Sequence, residues 1–217
     1  MNLANYELLI FLDFDGVLNS DPFFIGCRLD ENGMRRKEFD YSKSLLPVVQ
    51  EVEAEWLKRI DIEHEASIQF KVYSFLRNIS KKNFYTFMEY INELDSVGIV
   101  LSTSWRNGLC LDNWNTLFNK IPGWKVPIVG ITPSIGEDVI IPKVSIEDIN
   151  KRTGCRGDEI KSFLETTKYN GKYLILDDDA DMLEEQKPFF IQTNRKRGFT
   201  AGNVKMIKER LYDYSRS

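Results

Sequence analysis

Cysteine and histidine are scarce in this chain of 217 residues, and their scarcity excludes several kinds of site. The three cysteines are widely separated and form no C-x-x-C pair, so the sequence predicts neither a disulfide framework nor a zinc site. The one histidine, His64, lies between Glu63 and Glu65, where a solvated helix face is the expected environment. Triads that need histidine and histidine-ligated metal sites are therefore nearly excluded.

Long apolar runs and a strong excess of one charge are also lacking. The apolar run near the start, residues 8–12, follows no basic segment and is far too short to cross a bilayer. We therefore expect no signal peptide, no membrane partner and a cytoplasmic location. The 29 basic and 33 acidic residues give a net charge of -4, which argues against a protein that coats nucleic acid non-specifically but leaves room for a local basic patch.

The chain does have the composition of an ordinary globular domain. Hydrophobic residues make up 42% and aromatic residues 12%, which is enough for a sizeable core. The length suits one domain with an insertion, so we treat residues 1–217 as a single domain.

Apolar runs that end in polar clusters predict the strands of a parallel sheet. Strands are expected over 8–12, 98–101, 128–131, 172–176 and 189–192. Amphipathic patterns predict helices over 42–60, 68–79, 84–94 and 158–166, with Thr200 as the N-cap of a closing helix and residues 133–143 as a long loop or hairpin. The predicted fold class is α/β, with a doubly wound, Rossmann-like parallel sheet whose ligands bind at the carboxyl ends of the strands.

The segment between the first two predicted strands is too long for a simple crossover. We therefore predict a mainly helical insertion over residues 40–82. It is a candidate lid over the mouth of the sheet, and packing on the flank of the sheet is an equal alternative.

Four aspartates follow two of the predicted strands. Asp13 and Asp15 come directly after the first, where the turn at Gly16 lets one carboxylate face a substrate while the other lies beside it. Such a pair suits an aspartate nucleophile that attacks phosphorus and a neighbouring general acid and base. Carboxylates that face a phosphate need a hard cation, and Asp177 and Asp178 supply further oxygen ligands for Mg²⁺.

Donors that could stabilise a phosphoryl group lie close to other strand ends. The hydroxyl of Thr103 and the backbone N–H of Ser104 follow the second predicted strand. Arg156, at the start of the helix before Asp177, is the expected cation, and Lys161 ranks second because it lies inside that helix.

Several neighbouring residues have two possible roles. Trp105 and Arg106 could contact a nucleotide by stacking and charge, or could be a packing residue and a structural ion pair. Asp179 and Asp181 are expected to be solvated or to support the ligands from behind. The basic run 195–197 could grip a polyanion such as a nucleic-acid end, although a solvated turn is the favoured interpretation.

Taken in order, these segments resemble the four motifs of the haloacid dehalogenase-like (HAD) superfamily of phosphohydrolases. They are FLDFDGVLN, VLSTSWR, RGDEI and LILDDDADM. In detail the chain is most similar to the HAD domain of Swiss Army Knife RNA-repair proteins, which also show a related T…GLT stretch, here Thr193 to Thr200.

The resemblance implies roles for the motif residues. Asp13 would be the nucleophile, and Asp15 the general acid and base with its backbone carbonyl on Mg²⁺. Asp177 and Asp178 would be acids on the metal side, while Thr103 and Ser104 would hold the phosphoryl group.

The expected function is therefore a Mg²⁺-dependent phosphomonoesterase that works through an aspartyl-phosphate, with a terminal phosphate on a nucleotide, RNA or DNA as the implied substrate. Two alternatives stay open. One is a non-catalytic module that binds phosphate or nucleic acid, and the other is a phosphotransferase with an acceptor other than water. The sequence indicates no oligomeric state.

Overall fold

The computed structural model describes residues 3–48, 71–107, 109–135 and 155–214. A five-stranded sheet in the order β3-β2-β1-β4-β5 forms its centre, and every neighbouring pair of strands is parallel. The strands are β1 Leu8–Leu12, β2 Val97–Leu101, β3 Ile128–Ile131, β4 Lys172–Asp177 and β5 Phe190–Gln192. The predicted α/β fold with a doubly wound parallel sheet is confirmed.

The strand order places β1 at the point where the sheet changes its direction of growth. From β1 the chain adds β2 and β3 on one side, then β4 and β5 on the other. Ligands of such sheets bind at the carboxyl ends of the strands at this point. The residues after β1, β2 and β4 are therefore brought together.

Helices cover both faces of the sheet. They are α1 Asp21–Arg28, α2 at 71–78, α3 Lys81–Ile91, α4 Leu111–Asn119, α5 Arg156–Thr167 and α6 Ala201–Tyr214. Short 3-10 turns lie at Leu3–Asn5, Tyr41–Lys43, Leu46–Val48, Ser104–Arg106 and Glu184–Phe189. No helix among the described residues is both long enough and apolar enough to cross a bilayer.

Strand β1 supplies both layers of the core, which explains why all five of its residues are buried. Leu8, Ile10 and Leu12 belong to the larger cluster, whereas Leu9 and Phe11 belong to a smaller one on the opposite face. This division follows the two-residue period of a strand. A continuous apolar run is therefore what a central strand of a parallel sheet requires.

The described part of the predicted insertion packs into the larger cluster. Val72, Phe75, Leu76 and Ile79 are buried there, and the ring of Phe75 lies 5.0 Å from that of Phe14. Residues 49–70, which include His64 and most of the predicted helix over 42–60, lie outside the described residues.

The prediction of a helix from residue 42 is wrong for the part that the structure describes. Residues 41–48 form two 3-10 turns instead. Pro47 has no N–H for a helical hydrogen bond, and the chain pairs with the segment before α3 through a bridge between Ser44 and Ser80. The Leu45 N–H donates to the carbonyl of Ile79 at 3.2 Å, which holds the segment away from helical geometry.

The other predicted helices are present, with shifted ends. Helices α2, α3, α5 and α6 correspond to the patterns predicted around 68–79, 84–94, 158–166 and after Thr200. Thr200 precedes α6, and its hydroxyl donates to Asn203 Oδ1 at 2.9 Å. Helices α1 and α4 were not predicted, and the predicted loop or hairpin at 133–143 is described only as far as residue 135.

Candidate functional site

Asp13 lies at the centre of the site because β1 is the central strand. Its N–H donates to the carbonyl of Leu176 at 3.0 Å, which extends the ladder between β1 and β4 by one residue. Asp13 is only 6% exposed, and the Thr103 side chain makes a hydrogen bond to its carboxyl group. The ends of β1 and β2 thus bring together the predicted nucleophile and a hydroxyl that is predicted to donate a hydrogen bond to the phosphoryl group.

Three acidic side chains form a cluster at the ends of β1 and β4. Carboxylate oxygens of Asp13, Asp177 and Asp178 lie within 4.8 Å of one another. Burial raises the pKa of Asp13 well above its usual range, and the charge of Asp177 adds to this effect. Burial also raises the pKa of Asp177 to about 7 and raises the pKa of Asp178.

Burial is thus the main reason that ionising these three carboxyl groups is costly. Oxygen ligands at this spacing suit a hard divalent cation such as Mg²⁺, whose charge would lower the cost of ionising all three groups. The donor set therefore fits the predicted metal. The side chain of Asp15 is not part of the cluster.

A glycine makes the close approach of Asp178 possible. Gly16 adopts a φ of 67°, and a Cβ atom at this position would lie 2.3 Å from the Asp178 side chain. Its carbonyl accepts a hydrogen bond from the Thr193 hydroxyl at 2.8 Å. The turn after Asp15 thus needs glycine for both its conformation and its space.

Two neutral donors hold the Asp15 carboxylate. The indole Nε1–H of Trp105 donates to Oδ2 at 2.7 Å, and the amide of Asn19 donates to Oδ1 at 2.9 Å. The Asn19 side chain also accepts from the N–H of Gly16 at 2.9 Å. The sequence left stacking on a nucleotide and packing open for Trp105; in the structure its indole is a hydrogen-bond partner of the predicted acid and base.

Arg156 is the cation next to the acidic cluster. Its guanidinium lies 3.8 Å from Asp13 Oδ1 and 3.4 Å from Asp177 Oδ2, and it donates to Glu159 at 2.9 Å. Lys161 instead forms an exposed ion pair with Glu185. Of the two predicted cations, the structure therefore brings only Arg156 to the site.

The guanidinium of Arg106 is buried and bonded within the fold. The residue is 5% exposed, and it donates to the carbonyls of Thr103 at 2.6 Å and Thr132 at 3.0 Å. It also forms an ion pair of 2.7 Å with Glu159. The expectation of a substrate contact is not supported, and the alternative of a structural ion pair describes what the side chain does.

Glu159 joins the two arginines, and sequence reasoning missed it. One of its oxygens contacts Arg106 and the other contacts Arg156, so a single carboxylate connects the loop after β2 with the cation beside Asp13. The available signal was its place in the RGDEI segment, one helical turn after Arg156.

The remaining predicted residues lie around this centre. Ser104 is exposed, and with Trp105 and Lys71 it lines a small cavity of about 170 Å³. Asp179 is exposed, and its N–H donates to Asp177 Oδ1 at 2.9 Å. Asp181 is not simply solvated, because its Oδ2 accepts from the N–H of Arg156 at 3.0 Å and thereby caps the start of α5.

Comparison with known proteins gives a family for the chain. The family described as "HAD domain in Swiss Army Knife RNA repair proteins" matches residues 9–204. Searches of the curated proteins and of the solved structures find no match. The matched range spans β1 to α6 and so includes every residue of the site described above. The chain therefore belongs to the family of HAD domains found in Swiss Army Knife RNA repair proteins.

Proposed function

We propose that this chain is a Mg²⁺-dependent phosphomonoesterase that forms an aspartyl-phosphate on Asp13. The observation that supports the proposal best is the arrangement around Asp13. A hydroxyl donor from Thr103 and a guanidinium from Arg156 lie beside it, within a cluster of three carboxylates. Membership of a HAD family supports phosphohydrolase chemistry in general.

In the proposed first step, a carboxylate oxygen of Asp13 attacks phosphorus. A bond forms between that oxygen and phosphorus as the bond from phosphorus to the leaving oxygen breaks, and Asp15 gives a proton to the leaving oxygen. In the second step, Asp15 takes a proton from water. The water oxygen then attacks phosphorus, which breaks the bond to Asp13 and releases inorganic phosphate.

Other residues would stabilise and orient these groups. The Thr103 hydroxyl and the Ser104 N–H donate to phosphoryl oxygens as their charge develops. Arg156 holds the Asp13 carboxylate, and Trp105 with Asn19 fixes the orientation of Asp15. Asp13, Asp177, Asp178 and the backbone carbonyl of Asp15 would hold Mg²⁺, which supplies charge neutralisation when it is bound.

The proposed substrate is the terminal phosphate of a nucleotide or of an RNA or DNA end. The family description, which refers to RNA repair, supports this choice. We also propose a role in nucleic-acid repair in the cytoplasm. The three cysteines are free thiols, which the reducing conditions of the cytoplasm maintain. Residues 40–82 are proposed to be an insertion that either forms a lid and limits the size of the substrate or packs on the flank of the sheet.

Hydrolysis of p-nitrophenyl phosphate tests the reaction. Wild-type protein should be active with Mg²⁺ and inactive in EDTA, and Asp13→Asn should be folded and inactive because an amide cannot attack phosphorus. Asp179→Asn is the matched control, since it makes the same chemical change at an exposed acid outside the cluster and should keep its activity.

The same assay separates the alternatives. No turnover of p-nitrophenyl phosphate or of a panel of nucleotide 3′- and 5′-phosphates would indicate a non-catalytic binding module. Transfer of phosphate to an added sugar alcohol, in preference to water, would indicate a phosphotransferase.

A further inference from the structure

A groove of about 970 Å³ lies next to the site and is not used by the reaction described above. Its walls come from the start of α1, the start of α3, the turn after β5 and the start of α6. The groove also adjoins the proposed catalytic loop. Asn19 donates to Asp15, and the next residue, Ser20, lines the groove.

The lining of this groove carries positive charge only. Among the described residues that line it are Lys43, Lys81, Lys82, Lys196 and Arg197, and none of them carries a carboxylate. All five cations are exposed. Such a concentration of one sign contrasts with the net charge of -4 for the chain.

This positive charge is largely uncompensated. These cations form no ion pair within the described residues, although the charge of Lys43 acts on nearby Asp40, and no residue of the first turn of α3 is acidic. Lys81 and Lys82 open that helix at its positive end, where a cation is unfavourable. The charges of these two lysines therefore do not stabilise the helix, but they do suit a surface that binds anions.

Backbone groups add to the positive potential. Ser20 and Ser80 are the N-caps of α1 and α3, and Thr200 directly precedes α6. All three residues line the groove. The starts of three helices, each a site of partial positive charge, thus lie beside the same five cations. The one acid in the first turn of α1, Asp21, forms an ion pair with Arg195.

The chemistry of the lining favours a phosphate backbone over bases. The two aromatic residues of the lining, Phe23 and Phe199, are 7% and 1% exposed, so neither presents a ring on which a base could stack. Lysines, an arginine and helix starts contact phosphates without regard to sequence. A strand whose terminal phosphate lies at Asp13 would continue past the loop that joins Asp15 to Ser20 and into the groove.

We infer that this groove binds the phosphodiester backbone of a nucleic-acid strand whose terminal phosphate is the substrate. The inference deepens the proposed function and rests on it for the position of the terminal phosphate. Binding in the groove is independent of sequence and depends strongly on salt. The chain therefore turns over the end of an oligonucleotide better than a free mononucleotide.

Binding is measured first, without catalysis. The probe is a labelled, unphosphorylated single strand of about 12 nucleotides, a length within the usual range for such sites, in EDTA at several salt concentrations. Each phosphate contact to a single strand contributes about 0.7 to the slope of log K against log salt. Lys81→Gln with Lys82→Gln should therefore lower the slope by about 1.4, as should Lys196→Gln with Arg197→Gln.

The control has the same change in charge at the amino ends of the strands, whereas the groove lies beyond their carboxyl ends. Lys125 precedes β3 and Lys168 precedes β4, and both are exposed. Lys125→Gln with Lys168→Gln should leave the slope and the affinity unchanged. An equal loss in this control, or an affinity that does not respond to salt, would overturn the inference.

Turnover is measured next with the same variants. The Lys81 and Lys82 double variant should keep wild-type turnover of p-nitrophenyl phosphate. Its kcat/KM for a terminally phosphorylated oligonucleotide should fall by roughly 2- to 30-fold, the range for the loss of two exposed ion pairs. Equal kcat/KM values for mononucleotide and oligonucleotide in the wild type would overturn the inference and leave the proposed reaction standing.

Two further results separate the possibilities. Salt-dependent binding that the groove variants weaken, without hydrolysis of any phosphomonoester, would support the groove and contradict the proposed function. A poly-glutamate peptide with the same net charge as the oligonucleotide serves as a competitor. If it displaces the oligonucleotide and binds with the same affinity, the inference is overturned, because the groove would then suit an acidic protein as well.

Discussion

Asp177→Asn should stabilise the metal-free protein while it removes a proposed metal ligand. Asp177 is 3% exposed, and burial raises its pKa to about 7 although Arg156 lies 3.4 Å away. The ordinary value is 3.8, so ionisation of this group in the fold costs about three units at 1.36 kcal/mol each, or about 4 kcal/mol. Asparagine has no such cost at any pH.

The cost of ionising Asp177 can be measured because it makes the free energy of unfolding depend on pH. Because the folded protein holds the Asp177 proton more tightly than the unfolded chain, the free energy of unfolding falls as pH rises from about 4 to about 7. From pH 5 to pH 8, the stability of Asp177→Asn relative to wild type should therefore grow by about 2–3 kcal/mol. For a chain of this size, this corresponds to roughly 5–10 °C in Tm.

Urea unfolding in EDTA at pH 5 and pH 8 measures this change. Asp179→Asn, at an exposed neighbouring acid, should show a much smaller growth in its stability relative to wild type, because its charge acts on the cluster through Asp178 only. Saturating Mg²⁺ at pH 8 should stabilise the wild type and stabilise Asp177→Asn much less, because a ligand of the ion is lost. Parallel pH profiles for wild type and Asp177→Asn in EDTA would refute this reasoning.

Three further changes test the support around the site. Trp105→Phe removes the donor to Asp15 and should lower kcat by roughly 10- to 150-fold, the effect of one hydrogen bond to a charged group. Trp124→Phe is the control and should leave kcat unchanged, because the indole N–H of Trp124 has no partner among the described residues. Glu159→Gln breaks the connection between two arginines and should reduce the free energy of unfolding by about 3 kcal/mol in urea; unchanged stability would contradict the structural role. Replacement of residues 49–70 by a Gly/Ser linker spares the buried core residues of α2 and should change the selectivity between small and oligomeric phosphates, while unchanged selectivity would favour a position on the flank.

The strands and the centre of the site could be predicted because their signals are local. Each central strand is an apolar run that ends in polar residues, and parallel topology then gathers Asp13, Thr103 and Asp177 without any knowledge of packing. The cation beside them could be predicted in the same way, because Arg156 starts the helix before β4.

The features that could not be predicted depend on partners far away in sequence. The guanidinium of Arg106 donates to the carbonyls of residues 103, 132 and 133 and pairs with Glu159. The sequence around Arg106 does not indicate that these partners come together. The groove likewise brings together cations from positions 43, 81, 82, 196 and 197, of which only the last two belong to the basic run 195–197 noted in the sequence. The apolar spacing after residue 42 matched a helix, but Pro47 and the pairing of Ser44 with Ser80 determined the local structure.

Trapping of the covalent intermediate tests the central claim most directly. The protein is mixed with Mg²⁺ and a substrate that carries a radiolabelled phosphate, denatured in acid during turnover, and digested for peptide mapping. We expect one phosphate on Asp13, at a level that rises and falls with turnover, and none in Asp13→Asn. Label on another residue, or steady hydrolysis with no label on the protein at any time, would contradict it.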